Sequence, residues 1–412
     1  MKRLAALFAL ALPLAVGATD WRFEPPQDLT AKDAEPHFHH LDGAGRRHVA
    51  PASDGVAVAW EDDHTGSPQV YVAIMPREAS GPSARYQLSD GEEGYEPAVV
   101  AAGPGRWLAA WEQDEQVAAR IIDAQGPGPI TLLAKSGARQ VTLAEGNDGQ
   151  LAAVWAQSGA AGQLLEAATL RIAGRKVELA ESPQQVAPLK SHAYQGYPAA
   201  TWAADGRLVV AWEDRRAGHT RLYYSSREPG GPFVPEHELN EHNAPPPDET
   251  YDDVGLGSGV MRVMLAHNAA GEIRAIWLDK RNPASGYAVW GAASSDGGRS
   301  FGKNVIVQDE QGSAVPQWHA ALAGGRNAFA AVWDDTREAW EDETDTGDVI
   351  LSTLDKDVWS ADLVVPVASG DGYQGSPAVA LEGDDTLDLV WIARKDLNAP
   401  TRLFYARAHR TE

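Results

Sequence analysis

The chain has 412 residues, with 35 Lys and Arg against 58 Asp and Glu, a formal net charge of −23 and no cysteine. Disulfides and a cysteine-linked lipid anchor are therefore excluded, and a field of this sign disfavours nucleic acid and anionic membrane surfaces. It also slows the approach of a polyanionic glycan unless a local basic cluster offsets it.

Lys2 and Arg3 open the chain, the apolar run LAALFALALPLAVG follows, and Val16 and Ala18 precede Thr19 as the small residues of a cleavage site. This is the pattern of a secretory signal, so removal of residues 1–18 and a periplasmic or secreted mature protein are expected. The run is short for a membrane span and no later segment is apolar enough, so membrane insertion of the mature chain is not expected. An exported chain without disulfides must be held by its core, which a chain of this length can bury.

Seven copies of one unit follow, near residues 46–89, 95–134, 138–188, 196–239, 258–307, 315–366 and 375–408. Each contains a short apolar run that ends in tryptophan: Trp60, Trp111, Trp155, Trp212, Trp277, Trp333 and Trp391. A first strand begins near Arg46, Pro97, Val141, Pro198, Val263, His319 and Pro377, each fourteen residues before its tryptophan. Gly105, Gly149, Gly206 and Gly271 mark the tight turn between the two strands, where a positive φ is needed. A third strand (QVYVAIM in the first copy, RLYYSSR in the fourth) and a more degenerate fourth (RYQLS, FVPEHEL) complete the unit.

Four strands repeated at this period predict an all-β fold, a seven-bladed β-propeller of four-stranded blades in one domain over residues 19–412. The seventh copy lacks a fourth strand, but residues 20–29 contain WRFEPPQDL, similar to GPFVPEHEL of the fourth copy. The N-terminal segment is expected to complete the last blade and close the ring, removing exposed sheet edges. Six blades are the alternative, should the poorly matching third copy (WAQSGAAG) not form a blade.

Residues 294–301, SSDGGRSF, fit the Asp-box pattern S-x-D-x-G-x-[ST]-[WF] between the third and fourth strands of the fifth copy, and Ser225, Ser226 and Arg227 before Phe233 are a remnant of it. On these residues the chain resembles the sialidase-like (BNR/Asp-box repeat) β-propeller superfamily. The resemblance implies the scaffold, with the Asp-box a folding element on the face opposite the usual active site. The Arg-Ile-Pro motif of sialidases does not occur, and no family motif frames a Tyr–Glu nucleophile pair, an arginine triad or an Asp acid/base.

Candidate sites follow the tryptophans. Three copies share W-x-D-x-R, giving Asp214 and Arg216, Asp279 and Arg281, and Asp335 and Arg337; the first copy has Asp62 and His64 at those offsets. These residues either satisfy the turns of their own blades or place three guanidinium groups in an arc that clamps a carboxylate or sulfate. The blade-entry loops add Tyr95, Tyr194, Tyr197, Tyr251, Trp318, His319 and Tyr373, suited to sugar rings or a peptide ligand, or to packing on the next blade. Asp252 and Asp253, in the long loop 240–259, are further acid/base or metal candidates.

His37, His39 and His40 could bind a transition metal. The acidic loop 341–348, with Asp342, Asp345 and Asp348, offers oxygen ligands for Ca²⁺ and is otherwise a solvated loop. No other cofactor is expected.

The reading is an exported monomer that binds a ligand, a protein partner or a glycan, through its loop-rich face. A glycan-active enzyme, a glycoside hydrolase or polysaccharide lyase with its site at the channel mouth, and an envelope-complex scaffold are the alternatives. The acidic surface favours a basic protein partner over a polyanionic glycan.

Overall fold

The computed structural model describes residues 21–31, 37–41, 44–77, 81–160, 162–188, 194–216, 218–241, 259–281, 287–309, 317–337, 346–396 and 398–411. They form seven antiparallel sheets and, among the described residues, no helix. Each sheet is one blade, and the inner strand of each contacts the inner strands of its neighbours around a central channel. The third copy is a full blade, built on Ala138–Glu145, Leu151–Gly159 and Gly162–Ala173, so the ring has seven blades and not six.

The tryptophan that ends each second strand lies between sheets. The structure holds seven apolar clusters, one at each blade-to-blade interface, and each contains one of these residues: Trp111 between blades one and two, Trp155 between two and three, and so on to Trp60 between seven and one. All seven are at most 1 % exposed. A sheet that is apolar on both faces can be buried only by two neighbouring sheets, and closing the ring supplies them without a capping unit. Closure is made by the N-terminus: Trp21–Phe23 pairs antiparallel with the last strand, Arg402–Arg410, with Trp21 opposite Arg410 and Phe23 opposite Ala408. Gln27–Asp28 extends the same edge.

Blades two to seven share an irregularity in the inner strand. The register shifts at one place in each, and one residue there takes a left-handed conformation: Glu96, Gln140, Tyr197, Arg262, His319 and Ser376, with φ between 48° and 59°. Such a bulge turns a side chain out of the ladder. The bulge N–H, lost to the ladder, finds a side chain on the preceding blade. Glu96 N donates to Glu61 at 3.0 Å, Arg262 N to Glu213 at 2.8 Å and Ser376 N to Asp334 at 3.2 Å; Gln140 N donates to Glu112. These acceptors all follow directly on the repeated tryptophans. Ala156 occupies that place in blade three, and Gln140 Oε1 takes over by accepting from Tyr197 N at 3.0 Å. The fourteen-residue interval therefore does not mark the same place in every blade. His319 is the bulge residue itself, because the hairpin of blade six is one residue shorter.

In blade one the bulge is an excursion between the inner segments His39–His40 and Val49–Ala52. Residues 44–47 cross the channel as a plug. Gly45 N donates to Met264 Sδ of blade five at 3.2 Å, and Gly45 O accepts from Thr142 of blade three. Arg46 is buried against Glu96 and Glu112 of blade two, the latter at 3.6 Å. Arg47 continues to Glu145 at 2.5 Å in a lower cavity of about 180 Å³, where burial, aided by Arg47, lowers the His267 imidazole to about 4.

The Asp-box segment forms a self-satisfied turn. Asp296 accepts from Ser294 Oγ, Arg299 N, Ser300 N and Ser300 Oγ at 2.6–3.1 Å, and Phe301 packs edge-on against Tyr224 of blade four. Partial burial opposes the charge, but these donors hold its carboxyl at about 2.

Two outcomes test the plug. Gly45 has φ +76°, and a Cβ there would stand 2.0 Å from the Pro198 carbonyl oxygen, so Gly45→Ala is expected to destabilise the protein by about 2–4 kcal/mol in urea unfolding. Burial, with the neighbouring Glu96 and against the pull of Arg46, pushes Glu112 up to about 8. The folded state thus holds this proton more tightly than the unfolded chain, where a Glu titrates at about 4.3. The associated stability is complete below the unfolded value and is lost as pH rises through about 8. Glu112→Gln, which keeps an oxygen for Gln140 N, is expected to flatten that decline; an unchanged pH slope would show that Arg46 keeps the group ionised.

Candidate functional site

The three W-x-D-x-R copies close their own blades. Trp212, Trp277 and Trp333 donate their indole N–H to Asp214, Asp279 and Asp335 at 3.2, 3.0 and 3.3 Å. Arg216, Arg281 and Arg337 return to the same carboxylates at 2.6 Å. Each arginine then reaches the outer edge of its own sheet, Arg216 to Glu236, Arg281 to Asn304 and Arg337 to Asp362. Arg216 lies over Tyr223 and Arg281 over Trp290. The arc of three guanidinium groups at the channel mouth is thus not formed. The buried indole needs an acceptor, the buried carboxylate needs a counter-charge, and both are met locally.

The other candidates divide. Tyr194 takes a hydrogen bond from Gln140 Nε2 at 3.1 Å and lies beneath Arg215, Tyr95 bonds Glu93, and Trp318 tilts against Tyr287 with ring centroids 5.4 Å apart. Tyr251, Asp252, Asp253, Asp342 and Asp345 lie outside the described residues. Asp348 opens the third strand of blade six and accepts from Gly370 N at 2.9 Å. His39 and His40 are adjacent in a strand and so face opposite ways. His40 is exposed, whereas His39 is buried with His37 and Asp62, the ligand atoms of these three lying within 4.8 Å of one another.

Two adjoining cavities open at the bulge end of the channel. One, of about 350 Å³, sits at the channel mouth and is lined by His39, His40, Arg262, His319, Tyr373 and Arg394 among others, with no carboxylate among its described lining residues. The second, of about 980 Å³, lies where blade seven meets blade one and shares His39, Arg394 and Thr401 with the first. Lys395, Arg402 and His37 also line it, with Asp371 the one carboxylate among the described lining residues. Behind the mouth, Asp334 Oδ2 accepts from the Tyr373 hydroxyl at 2.7 Å and its Oδ1 pairs with His319 Nδ1 at 2.8 Å. Burial, then the adjacent Asp334 charge, pushes the Tyr373 hydroxyl far above its usual value, so it stays protonated.

Of the sequence candidates, His39, His40, His319 and Tyr373 thus meet at one mouth. Arg262, Ser376 and Arg394 complete it and were not anticipated. The signal for Arg262 and Ser376 was the position directly before the Val263 and Pro377 markers, where the bulge turns a side chain into the channel.

No protein-family model and no curated protein sequence matches the chain. Among solved structures it is similar to the polysaccharide lyase Uly1, with a TM-score of 0.54 and 9 % identity over 89 % of this chain and 90 % of that one. It is also similar to a protein of unknown function from Dyadobacter fermentans (TM-score 0.49, 11 % identity, 95 % and 99 % covered) and to the GH93 α-L-arabinofuranosidase of Fusarium graminearum (TM-score 0.46, 13 % identity, 77 % and 93 % covered). At this identity the likeness to the lyase speaks for the fold alone.

Because Arg281 serves its blade, Arg281→Ala is expected to lower stability by about 2 kcal/mol, leaving the Asp279 carboxylate without its guanidinium. Ligand binding at the channel mouth should be unchanged once measured on folded protein, and a selective loss of binding at unaltered melting temperature would restore the arc as a ligand site.

Proposed function

We propose that this protein is an exported propeller that binds an anionic saccharide, a uronate-type chain, in the cavities at the junction of blades five, six, seven and one. The observation that carries the reading is local charge inversion. In a chain of net charge −23, the described lining of the mouth cavity has three histidines and two arginines and no carboxylate. A basic recess within an acidic surface attracts a small anionic segment while the surrounding field rejects other polyanions. Arginine suits carboxylate through its paired N–H groups, and the combined cavities have the size of ligand sites. The saccharide class rests on the chemistry of the lining and on the lyase among the structures of similar fold.

A second reading, β-elimination on such a saccharide, is favoured by the Asp334 network. Asp334 against Nδ1 fixes the His319 tautomer with Nε2 as the basic nitrogen, and the protonated Tyr373 is a proton donor beside it. Arginine neutralisation of a uronate carboxylate lowers the barrier to removing the adjacent C–H proton.

Calorimetric titration with uronate oligosaccharides and their neutral counterparts tests both readings. The anionic series should bind, weaken with added salt, and lose at least about tenfold affinity in Arg394→Ala, about 1.4 kcal/mol. Equal affinity for neutral and anionic chains would reject the charge argument. Ultraviolet absorbance of an unsaturated uronate product, abolished in His319→Ala, would make the binder a lyase; binding without that absorbance leaves it a binder.

A further inference from the structure

We infer that His37, His39 and Asp62 form a binding site for a borderline transition metal, zinc foremost, at the seam where the last blade meets the first. The donor atoms of the three residues lie within 4.8 Å of one another, and all three side chains are buried. Two nitrogens and one oxygen bonded to zinc at about 2.0–2.2 Å stand roughly 3.3–3.5 Å apart, so small rotations bring the set into coordination. A nitrogen-rich set selects zinc, nickel or copper over calcium or magnesium.

The surroundings hold the ligands in place. His39 Nδ1 pairs with Thr401 Oγ1 at 2.9 Å, and His39 N donates to the same hydroxyl at 2.6 Å, which directs the ring's Nε2 away from Thr401. Fixing one imidazole nitrogen so that the other can ligate is the usual outer-shell arrangement of metal histidines. Asp62 is held on both oxygens: its Oδ2 accepts from Trp60 Nε1 at 2.9 Å and from Arg85 Nη2 at 3.1 Å, and its Oδ1 accepts from His64 N at 3.3 Å and pairs with His64 Nδ1. Blade one also departs from its sisters here. Where blades four, five and six place an arginine four residues after the tryptophan, blade one places His64, whose ring centroid is 5.3 Å from that of His37. A third imidazole therefore stands beside the three ligands.

The location gives the metal a role. Thr401 precedes the last strand, Arg402–Arg410, and its N donates to His37 O at 3.1 Å. The cluster thus joins the two ends of the ring in a chain that has no cysteine to do so. His37 and His39 also line the cavity of about 980 Å³, so an open coordination position would face it.

The test uses tag-free, full-length mature protein, stripped with chelator and titrated with Zn²⁺ in the absence of saccharide. One equivalent should bind and raise the melting temperature by at least about 3 °C, and His37→Ala and His39→Ala should each abolish both effects. Co²⁺ should give the intense visible bands of a four-coordinate nitrogen/oxygen site in the wild-type protein, which decides the matter even if a variant fails to fold. No stoichiometric zinc, retention of binding in both variants, only the weak bands of six-coordinate Co²⁺, or an equal shift with Ca²⁺ would overturn the site. Saccharide titration of the chelated protein separates this outcome from that of the anionic-ligand reading.

Discussion

A tryptophan buried between every pair of adjacent sheets is the interaction on which the ring depends. It fills the largest volume at each interface and arrives with an indole N–H that cannot be left without an acceptor in an apolar setting. Asp62, Gln113, Asp214, Asp279 and Asp335, each two residues further along, meet that need, and Gln374 does so for Trp391 from the inner strand of blade seven. Placing a carboxylate beside a buried indole creates a second demand, for a counter-charge, and the arginines of blades four to six answer it. The charged residues that follow each tryptophan are therefore largely a consequence of burying it.

A second constraint decides where the molecule is open. Six inner strands carry a left-handed bulge, and in five of them its N–H is held by a side chain from the preceding blade. This stitches blades together at the channel mouth and turns one side chain per blade into it. Toward blades two and three, the plug residues Gly45 and Arg46 fill the channel, and Arg46 pairs with Glu96 beside Glu112. Toward blades five, six and seven, Arg262, His319 and Ser376 face a cavity instead. One insertion in one blade thus breaks the seven-fold pattern and leaves an asymmetric mouth, basic on its open side within a strongly acidic molecule. The proposed anionic ligand and the proposed seam metal both fall on that side.

Much of the architecture could be read from residue order. The strand count, the turn glycines and the similarity of WRFEPPQDL to GPFVPEHEL led to seven blades closed by the N-terminus, and Gly105, Gly149, Gly206 and Gly271 do adopt positive φ. The site was read less well. Repetition drew attention to Arg216, Arg281 and Arg337, yet a residue type that recurs in successive blades meets a need that recurs, and that need was internal. His319 and Tyr373, candidates from their entry loops, line the mouth cavity. Arg262 was not a candidate, because a bulge is a matter of register between two strands, and Arg394, three residues after Trp391 at the end of its strand, lies outside the W-x-D-x-R pattern.

Short-range pattern determined what each blade is, because alternation, turn chemistry and the tryptophan interval act over a few residues along the chain. Tertiary structure alone decided what the blades make together. The plug reaches from blade one to residues nearly a hundred to more than two hundred positions away, at Thr142 and Met264. His39 meets Thr401 across 362 positions only because the ring closes there. Contacts of that span are set by closure geometry, which depends on all seven sheets at once, and so the basic mouth and the histidine–aspartate cluster emerge only when the ring is complete.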